Sequence, residues 1–475
     1  TAQHVEQHIE QQNQSYQTAL ALRPDYPEAL NNYGTLLKDR GQHLDAAKVL
    51  TRTIELQADN ADAHGNLGLT LMALNEFDLA IRHLEHAVSL RPDSAVTHFN
   101  LGTAWHRKFY AEEAVTHFRH AIELSPDFYH AHNSLGNALR ELGQLQEATE
   151  HLRAAMAFCP DSAEIHANLG AALQDQGFFD EAVIHYRRAT ELNPNHPDIR
   201  SGLLYCLSHC LGVDAHGLSQ EHLLYGKCLP ARPDSMPFRN TRERDRLLHV
   251  GFVSGDFRNH ALANFIQSFL SYLSAQADLC LHAYYNHHIN DSVTEIIKEK
   301  FQHWTTVYAM STTDLFYKIQ NDNIDILVDL SGHTAQNRLP LFGMKPAPIQ
   351  ISGMGYPGTT GLSAMDYYFT DKEYFPYEIF SWQFTEKLIY LPKAGTFSPT
   401  AVSPEVNFLP AHKNGFFTFG SFNRANKINI EMITVWAAIL KTLPNAHFLI
   451  GGLGGDDEIQ KICDVFGREG IKRER

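Results

Sequence analysis

Small and apolar residues recur every 34 positions through the first two hundred residues. The series are Gly34, Gly68, Gly102, Gly136 and Gly170; Ala46, Ala80, Ala114, Ala148 and Ala182; Ala87, Ala121, Ala155 and Ala189; and Pro24, Pro92, Pro126, Pro160 and Pro194. Ala58 interrupts the proline series. This period predicts units of two amphipathic helices, with small residues where the helices cross closely and a proline where the second helix stops. One unit cannot bury its own apolar face, so we predict that the units stack into an α-solenoid over residues 1–200.

The repeating unit resembles the tetratricopeptide repeat. Asn66-Leu67-Gly68, Ala80, Ala87 and Pro92 stand at its characteristic positions. We count five full repeats between about residues 26 and 196, preceded by half a repeat. We therefore expect the array to continue upstream of Thr1 or to begin with an atypical cap.

Four histidines follow the same step of 34 residues: His64, His98, His132 and His166. Stacked repeats hold equivalent residues about 10 Å apart, by the width of a helix, whereas the ligands of a metal ion must converge within a few ångströms. We therefore predict a structural role for these histidines and no metal site among them.

Four asparagines also keep the step, with Ser134 as the exception: Asn32, Asn66, Asn100 and Asn168. An amide offers both a donor and an acceptor, so a row of asparagines that faces the groove could hold a peptide backbone without reading its sequence. The alternative is a hydrogen bond between the helices of each repeat.

The repeat pattern fades over residues 201–246. We predict a capping helix over Ile199 to Leu211 and a connector over residues 232–237. Cys206 and Cys210 lie one turn apart on that helix, and without a matching His or Cys pair nearby they are expected to pack rather than bind zinc.

Buried strands alternate with helices from residue 247 onward, which predicts a doubly wound parallel sheet. The predicted strands are 247–253, 279–285, 305–308, 324–330, 349–354 and 367–370, with helices at 261–275, 291–302 and 312–321. A second unit of this kind begins with a strand at 415–422, a helix at 430–442, a strand at 446–450 and a helix near 456–466. We assign 247–410 to a first Rossmann-like lobe and 411–475 to a second, which we expect to continue beyond Arg475.

Ligands of open α/β sheets bind at the carboxyl ends of the strands. Three polar loops with glycines are predicted at this edge: 254–260, 331–334 and 355–361. Together they favour a binding cleft, although Asp256 could also cap the helix that follows. The turn 451–455 is rich in glycine but lacks the dinucleotide-binding spacing.

Charge and cysteine content narrow the classes of partner. The net charge is −15, and residues 1–200 carry 15 Lys+Arg against 27 Asp+Glu, or −12. This argues against nucleic acid and anionic membranes as partners of the repeats.

No run of 18 apolar residues occurs, so we expect no membrane span. Six scattered cysteines favour a reducing compartment, so we expect a cytoplasmic protein.

Several motifs in the second half resemble the protein O-linked N-acetylglucosamine transferases and their SPINDLY relatives, which also carry tetratricopeptide repeats. The motifs, in the family's order, are 253–260 (VSGDFRNH), 346–350 (PAPIQ), 355–359 (GYPGT), 365–367 (MDY) and 422–428 (FNRANKI). The resemblance covers nearly the whole chain. It implies a GT-B fold and metal-free transfer, with inversion, of a sugar from a nucleotide to Ser or Thr hydroxyls.

The same resemblance implies catalytic roles for three residues. His260 matches the active-site histidine, and Asp256 matches the acidic residue proposed to help remove a proton. Lys427 matches the lysine that neutralises the diphosphate leaving group. Whether the base is His260, Asp256 through water, or an oxygen of the donor phosphate stays open.

Donor-binding and acceptor-binding residues follow in the same way. Gly355 and Pro357 would line the sugar pocket, Arg424 would lie near the diphosphate together with Lys427, and Thr334 is a further donor-binding candidate. The asparagine row would hold the acceptor polypeptide. The donor is expected to be UDP-GlcNAc, with GDP-fucose as the alternative because SPINDLY relatives use it.

Some positions depart from the family pattern. His333 and Ala335 stand where animal members have a tyrosine and a lysine, and Asn264 replaces a second histidine. A further donor-binding motif of the family is expected beyond Arg475, so we expect this chain by itself to bind nucleotide weakly. A tetratricopeptide scaffold without catalysis is the alternative function.

Overall fold

The structure is a computed structural model that describes residues 2–232, 237–393, 397, 405–423, 427–452 and 456–475. The chain divides into two compact units, Thr1–Leu173 and Gln174–Arg475. This division falls earlier than the repeat boundary that we drew at residue 200 from the 34-residue period.

Paired helices occupy the first two hundred residues, as predicted. They are α1 (Ala2–Leu22), α2 (Pro27–Asp39), α3 (His43–Leu56), α4 (Ala61–Ala73), α5 (Phe77–Leu90), α6 (Ala95–Arg107), α7 (Ala111–Leu124), α8 (Tyr129–Glu141), α9 (Leu145–Phe158), α10 (Ala163–Asp175) and α11 (Phe179–Leu192). From α2 onward a helix of 13 residues alternates with one of 14 residues, one pair to each 34-residue unit.

The periodic glycines lie where the two helices of a repeat touch. A methyl group on Gly68 of α4 would come within 2.5 Å of Leu84 Cγ on α5, and one on Gly136 within 2.5 Å of Leu152 Cγ. Leu84 and Leu152 are fully buried. The glycine step is therefore a packing requirement, because only a residue without a side chain lets a large one fill the space between the helices.

The periodic histidines fasten each repeat to the end of the preceding one. Nε2 of His98 lies 3.1 Å from the carbonyl oxygen of Pro92, and Nε2 of His132 lies 3.0 Å from that of Pro126. His64 makes the same contact with Ala58, which replaces proline in the series. The carbonyl that accepts this bond is present whichever residue occupies the position.

The second unit contains a seven-stranded parallel sheet and a two-stranded one. The strands are β1 (Leu248–Ser254), β2 (Leu279–Tyr285), β3 (His303–Thr306), β4 (Ile326–Asp329), β5 (Ile349–Ser352), β6 (Tyr367–Thr370), β7 (Lys387–Tyr390), β8 (Thr418–Ser421) and β9 (His447–Ile450). Its helices after α11 are α12 (Pro197–Leu207), α13 (Ala215–Lys227), α14 (Ala261–Leu273), α15 (Ser292–Lys298), α16 (Thr312–Asn321), α17 (Leu339–Gly343), α18 (Tyr377–Phe380), α19 (Pro410–Asn414), α20 (Ile430–Thr442) and α21 (Asp456–Arg468).

The order of strands in the larger sheet is β3-β2-β1-β4-β5-β6-β7, and all neighbours are parallel. The chain runs outward in one direction from β1 to β3 and then returns to place β4 on the other side of β1. The carboxyl ends of β1 and β4 therefore flank the topological switch point, where open α/β sheets bind ligands.

Both faces of this sheet are buried by apolar side chains. Leu204 of α12 and Tyr225 of α13 belong to the cluster on one face, together with Tyr284 and Leu327. Phe252 and Ile266 belong to the cluster on the other face. The segment after the repeats is thus part of the sheet's core, and the fully buried Cys206 of α12 packs as predicted.

The predicted strands of the first lobe are confirmed, with shifts of one or two residues at several ends. The capping helix α12 ends four residues before the predicted Leu211, and no individual prediction was made for α13, α17, α18, α19 or β7. The smaller sheet pairs β8 with β9 in parallel, as the repeated strand–helix pattern predicts. Among the residues that the structure describes, no helix combines the length and apolarity needed to span a membrane.

Candidate active site at the switch point

The loop after β1 brings Asp256 and His260 together. The backbone N–H of Asp256 donates to Ser254 Oγ at 3.0 Å. This bond forms a tight turn directly after β1, and Asp256 is buried there. Asp256 Oδ1 lies 3.5 Å from His260 Nδ1 and 3.9 Å from Arg258 Nη2. These two predicted catalytic residues are therefore neighbours at the switch point.

His260 also caps helix α14, since its Nδ1 lies 3.3 Å from the backbone nitrogen of Leu262. One ring nitrogen cannot accept from Leu262 and donate to Asp256 at the same time. In the capping tautomer, neutral His260 carries its proton on Nε2 and can donate to an oxygen. In the other tautomer Nδ1 donates to Asp256, and Nε2 can accept a proton.

A buried carboxylate, Asp329, builds the loop after β4. It is fully buried and accepts hydrogen bonds from the backbone N–H groups of Ser331 at 3.1 Å and Gly332 at 3.0 Å. It also accepts from Ser352 Oγ of β5 at 2.7 Å. Burial raises the pKa of Asp329, and these three donors act in the opposite direction. Asp329 thus ties the loops after β4 and β5 together.

His333 lies in the same loop and is directed into the protein. Its Nδ1 lies 2.9 Å from Ser201 Oγ of α12, and its Nε2 lies 3.1 Å from the carbonyl oxygen of Thr360. Burial lowers its pKa well below that of a free histidine, so it is neutral. His333 therefore connects α12 to the loop after β5.

The predicted donor-binding residues Thr334, Gly355 and Pro357 lie in the loops after β4 and β5. The hydroxyl of Thr334 donates to the carbonyl oxygen of Ser331 at 2.8 Å, which closes its own turn. A methyl group on Gly355 would come within 2.1 Å of the carbonyl oxygen of Leu330, so a glycine is required by the contact between the loops. Pro357 is exposed at the tip of the second loop.

A second buried acid, Glu386, holds the C-terminal end of the loop after β5. Its carboxylate accepts from Thr359 Oγ1 at 2.6 Å and from the backbone N–H of Thr360 at 2.8 Å. Helix α13 packs on the neighbouring backbone, where a methyl group on Gly226 would come within 2.1 Å of the carbonyl oxygen of Gly361. The loop is thus held from both sides.

A histidine of α13 completes this support. His222 Nε2 lies 3.1 Å from Tyr356 Oη, and its Nδ1 donates to the carbonyl oxygen of Leu218 at 2.8 Å. Burial lowers the pKa of His222 to about 4, so the ring is neutral at physiological pH and accepts from Tyr356. Sequence reasoning missed Asp329, Glu386 and His222; only Asp329, an acid at the end of a buried strand, carried a recognisable signal.

Lys427 lies in the segment that follows β8 of the two-stranded sheet. It is exposed in the segment between β8 and α20, two residues before Asn429, which caps α20 by accepting from the backbone N–H of Met432 at 2.8 Å. A lysine beside the N-terminus of a 13-residue helix favours an anion, because the helix dipole adds to its charge. Arg424 and residues 453–455 of the glycine-rich turn lie outside the described residues.

Two members of the asparagine row bond to the preceding repeat. Asn66 Nδ2 donates to Asn31 Oδ1 at 3.2 Å, and Asn168 Nδ2 donates to Asn133 Oδ1 at 2.9 Å. The other members are Asn32, which is exposed, and Asn100, which is half-buried. These bonds join successive repeats rather than the two helices of one repeat.

Two clusters among the described residues have the composition of a metal site, and neither includes Asp256, His260 or Lys427. One is His98, His117 and His120 in the repeats; the other is His249, Cys280 and His282 on β1 and β2. Burial raises the pKa of the Cys280 thiol.

Comparisons with known proteins agree with the order of these elements. The model of glycosyl transferase family 41 matches residues 189–398, and tetratricopeptide repeat models match residues 15–48, 34–95, 117–150, 136–177 and 163–196. A SPINDLY protein of Oryza sativa subsp. japonica, described as a probable UDP-N-acetylglucosamine–peptide N-acetylglucosaminyltransferase, is 34% identical over 247 residues, which are 49% of this chain and 26% of that protein. These matches support a tetratricopeptide-containing member of the O-GlcNAc transferase and SPINDLY family.

Further relatives support this membership. The similarly described SEC protein of Arabidopsis thaliana is 32% identical over 212 residues, or 42% of this chain and 21% of that protein. A solved mutant of the O-GlcNAc transferase of Thermobaculum terrenum superposes with a TM-score of 0.71 at 27% identity, covering 80% of this chain and 73% of its own. The predicted fold class, an α-solenoid followed by GT-B-type α/β lobes, is confirmed. The chain spans about a quarter of the length of the plant proteins that it matches.

Proposed function

We propose that the full-length protein is an inverting glycosyltransferase. It moves N-acetylglucosamine from UDP-GlcNAc to Ser or Thr hydroxyls of proteins held by the repeats. The observation that carries the proposal is the Asp256–His260 pair, 3.5 Å apart at the switch point of a sheet of this family. A polar pair at this edge lies where a ligand of an open α/β sheet binds.

The transfer forms one bond and breaks one. The acceptor oxygen attacks the anomeric carbon opposite the diphosphate, which leaves with the bonding electrons, so the configuration is inverted. His260 can orient the acceptor hydroxyl through Nε2–H or accept its proton when Nδ1–H faces Asp256. Asp256 through water, or an oxygen of the donor phosphate, are the other possible bases.

The leaving diphosphate gains negative charge as the bond breaks. Lys427 and the N-terminus of α20 offer a fixed positive charge and a favourable dipole to that group, so the transfer needs no metal ion. Arg424 is proposed to assist Lys427. Gly355, Pro357 and Thr334 are proposed to face the sugar, held by Asp329 and Glu386 beneath them.

The acceptor is proposed to lie along Asn32, Asn66, Asn100 and Asn168. Asn66 and Asn168 are oriented by Asn31 and Asn133, and an oriented amide loses less entropy when it binds a peptide backbone. The described cysteines are all free thiols, which supports a cytoplasmic location.

The alternatives are transfer of fucose from GDP-fucose and a scaffold that binds partners only. Titration of both nucleotide sugars into the full-length gene product separates them. Binding of UDP-GlcNAc alone supports the proposal, binding of GDP-fucose alone supports the fucosyltransferase, and binding of neither supports the scaffold.

Lys427→Ala tests the proposed leaving-group role. Removing one group that stabilises transition-state charge should lower the transfer rate by about 10²–10³-fold, with peptide affinity unchanged. Lys441→Ala is the matched control, since Lys441 lies on the last turn of the same helix and pairs with Glu469 at 2.8 Å on the surface. Wild-type turnover by Lys427→Ala would contradict the assignment.

A further inference from the structure

Three histidines from the two helices of one repeat converge on a common point. His98 lies on α6, and His117 and His120 lie one turn apart on α7. One nitrogen from each ring lies within 4.8 Å of the other two, and Nδ1 of His98 is 3.5 Å from Nδ1 of His117. A tetrahedral ion with metal–nitrogen bonds of about 2.0–2.1 Å holds its ligand nitrogens about 3.4 Å apart.

His98 is already oriented as a ligand. Its Nε2 lies 3.1 Å from the carbonyl oxygen of Pro92, so that nitrogen carries the ring proton and Nδ1 presents its lone pair to His117 and His120. Metal-binding histidines typically donate their second ring N–H to a carbonyl in this way. His98 is buried, His117 is half-buried and His120 is exposed, which provides an entry path from solvent.

The preceding repeat has histidines at the same three positions, His64, His83 and His86, but among the described residues only the nitrogens of His98, His117 and His120 converge in this way within the repeats. The next repeat contains a histidine pair equivalent to His98 and His117, namely His132 and His151, with Nδ1 atoms 3.0 Å apart. Ala154 stands there at the position of His120. The pair is therefore common to both repeats, and the third histidine is the difference between them.

We propose that His98, His117 and His120 bind one divalent transition-metal ion of the zinc class within the solenoid. Three imidazoles suit Zn²⁺, Ni²⁺ or Cu²⁺ and disfavour Mg²⁺ and Ca²⁺, which require oxygen ligands. Equivalent histidines of successive repeats cannot share an ion, but these three belong to one repeat. The net charge of −12 over residues 1–200 also favours a cation. The ion joins α6 to α7 and takes no part in glycosyl transfer.

Two substitutions test the site: one removes the third histidine from this repeat, and the other adds a third histidine to the next repeat. His120→Ala gives this repeat the composition of the next, and Ala154→His gives the next repeat the third histidine. The chain, purified without a histidine tag, would be equilibrated with ZnCl₂ in excess Mg²⁺ and the bound zinc counted by dialysis. Both variants keep the cluster of His249, Cys280 and His282 and every histidine outside the two repeats, so differences report only the proposed arrangement.

The expected result is one fewer zinc equivalent in His120→Ala and one more in Ala154→His. Loss of a residue that only hydrogen-bonds to a metal ligand already weakens metal binding by about tenfold or more. Loss of the ligand His120 itself should therefore weaken zinc binding at this site by at least about tenfold. Zinc should also raise the melting temperature of the wild type, and EDTA should reverse this. Equal stoichiometry and affinity in all three proteins, or no zinc bound by the wild type, would overturn the proposal.

Discussion

Replacing Asp329 with asparagine should weaken the support beneath the candidate active site. The carboxylate accepts three hydrogen bonds, from Ser331 N, Gly332 N and Ser352 Oγ, in a fully buried position. An asparagine of the same shape has one oxygen and one NH₂ group. In either orientation of the amide, at least one backbone N–H then faces another donor.

The magnitude follows from that unpaired donor. A buried donor without a partner costs about 1–3 kcal/mol, whereas the neutral amide recovers part of the burial penalty that raises the pKa of Asp329. We therefore expect Asp329→Asn to lower the free energy of unfolding by about 1–3 kcal/mol. Ser352→Ala, which removes only one of the three donors, should cost about 1 kcal/mol.

Urea unfolding of the chain measures both effects, with Asp278→Asn as a surface control. Asp278 lies exposed in the turn before β2 and should change stability by no more than about 0.5 kcal/mol. In the full-length protein, Asp329→Asn should also weaken binding of the nucleotide sugar, because the loops after β4 and β5 lose their common anchor. If Asp329→Asn unfolds like the wild type, the carboxylate does not organise these loops.

Two further predictions concern packing and pH. Gly68→Ala should lower the free energy of unfolding by about 1–3 kcal/mol, because its methyl group would come within 2.5 Å of Leu84. Gly65→Ala on the same helix meets nothing within 4 Å and should raise the free energy of unfolding by about 0.5–1 kcal/mol. Equal effects of the two substitutions in thermal unfolding would refute the packing explanation. His222 has a folded pKa of about 4, below the ordinary 6.5, so the unfolded chain binds the proton first as the pH falls and stability present above pH 6.5 is lost toward pH 4. Between pH 6.5 and 5 the wild type should therefore lose about 2 kcal/mol more of its free energy of unfolding than His222→Gln. If urea unfolding gives the same pH dependence for both proteins, this prediction is wrong.

The sequence predicted best what is periodic or apolar. The step of 34 residues predicted the helix pairs, because each small residue marks a contact such as that of Gly68 with Leu84. Runs of apolar residues predicted β1 to β6, since the strands of a parallel sheet are buried on both faces. Helix α13 and strand β7 have no such pattern, because α13 buries few residues and β7 has exposed and half-buried positions.

The candidate site was predictable only where its chemistry is local. Asp256 and His260 are four residues apart in one loop, so their proximity follows from the sequence. Glu386 reaches Thr359 from 27 residues away, and His222 reaches Tyr356 from 134 residues away. Contacts of this kind depend on tertiary packing, which leaves no mark at either position alone.

The most direct test of the central proposal is mass spectrometry of an acceptor protein after incubation with the full-length gene product and each nucleotide sugar in turn. The proposal predicts N-acetylhexosamine on Ser or Thr with UDP-GlcNAc, without added metal, and strongly reduced modification when Lys427→Ala replaces the wild type. No transfer from UDP-GlcNAc by a folded protein, or equal transfer by wild type and Lys427→Ala, would contradict it.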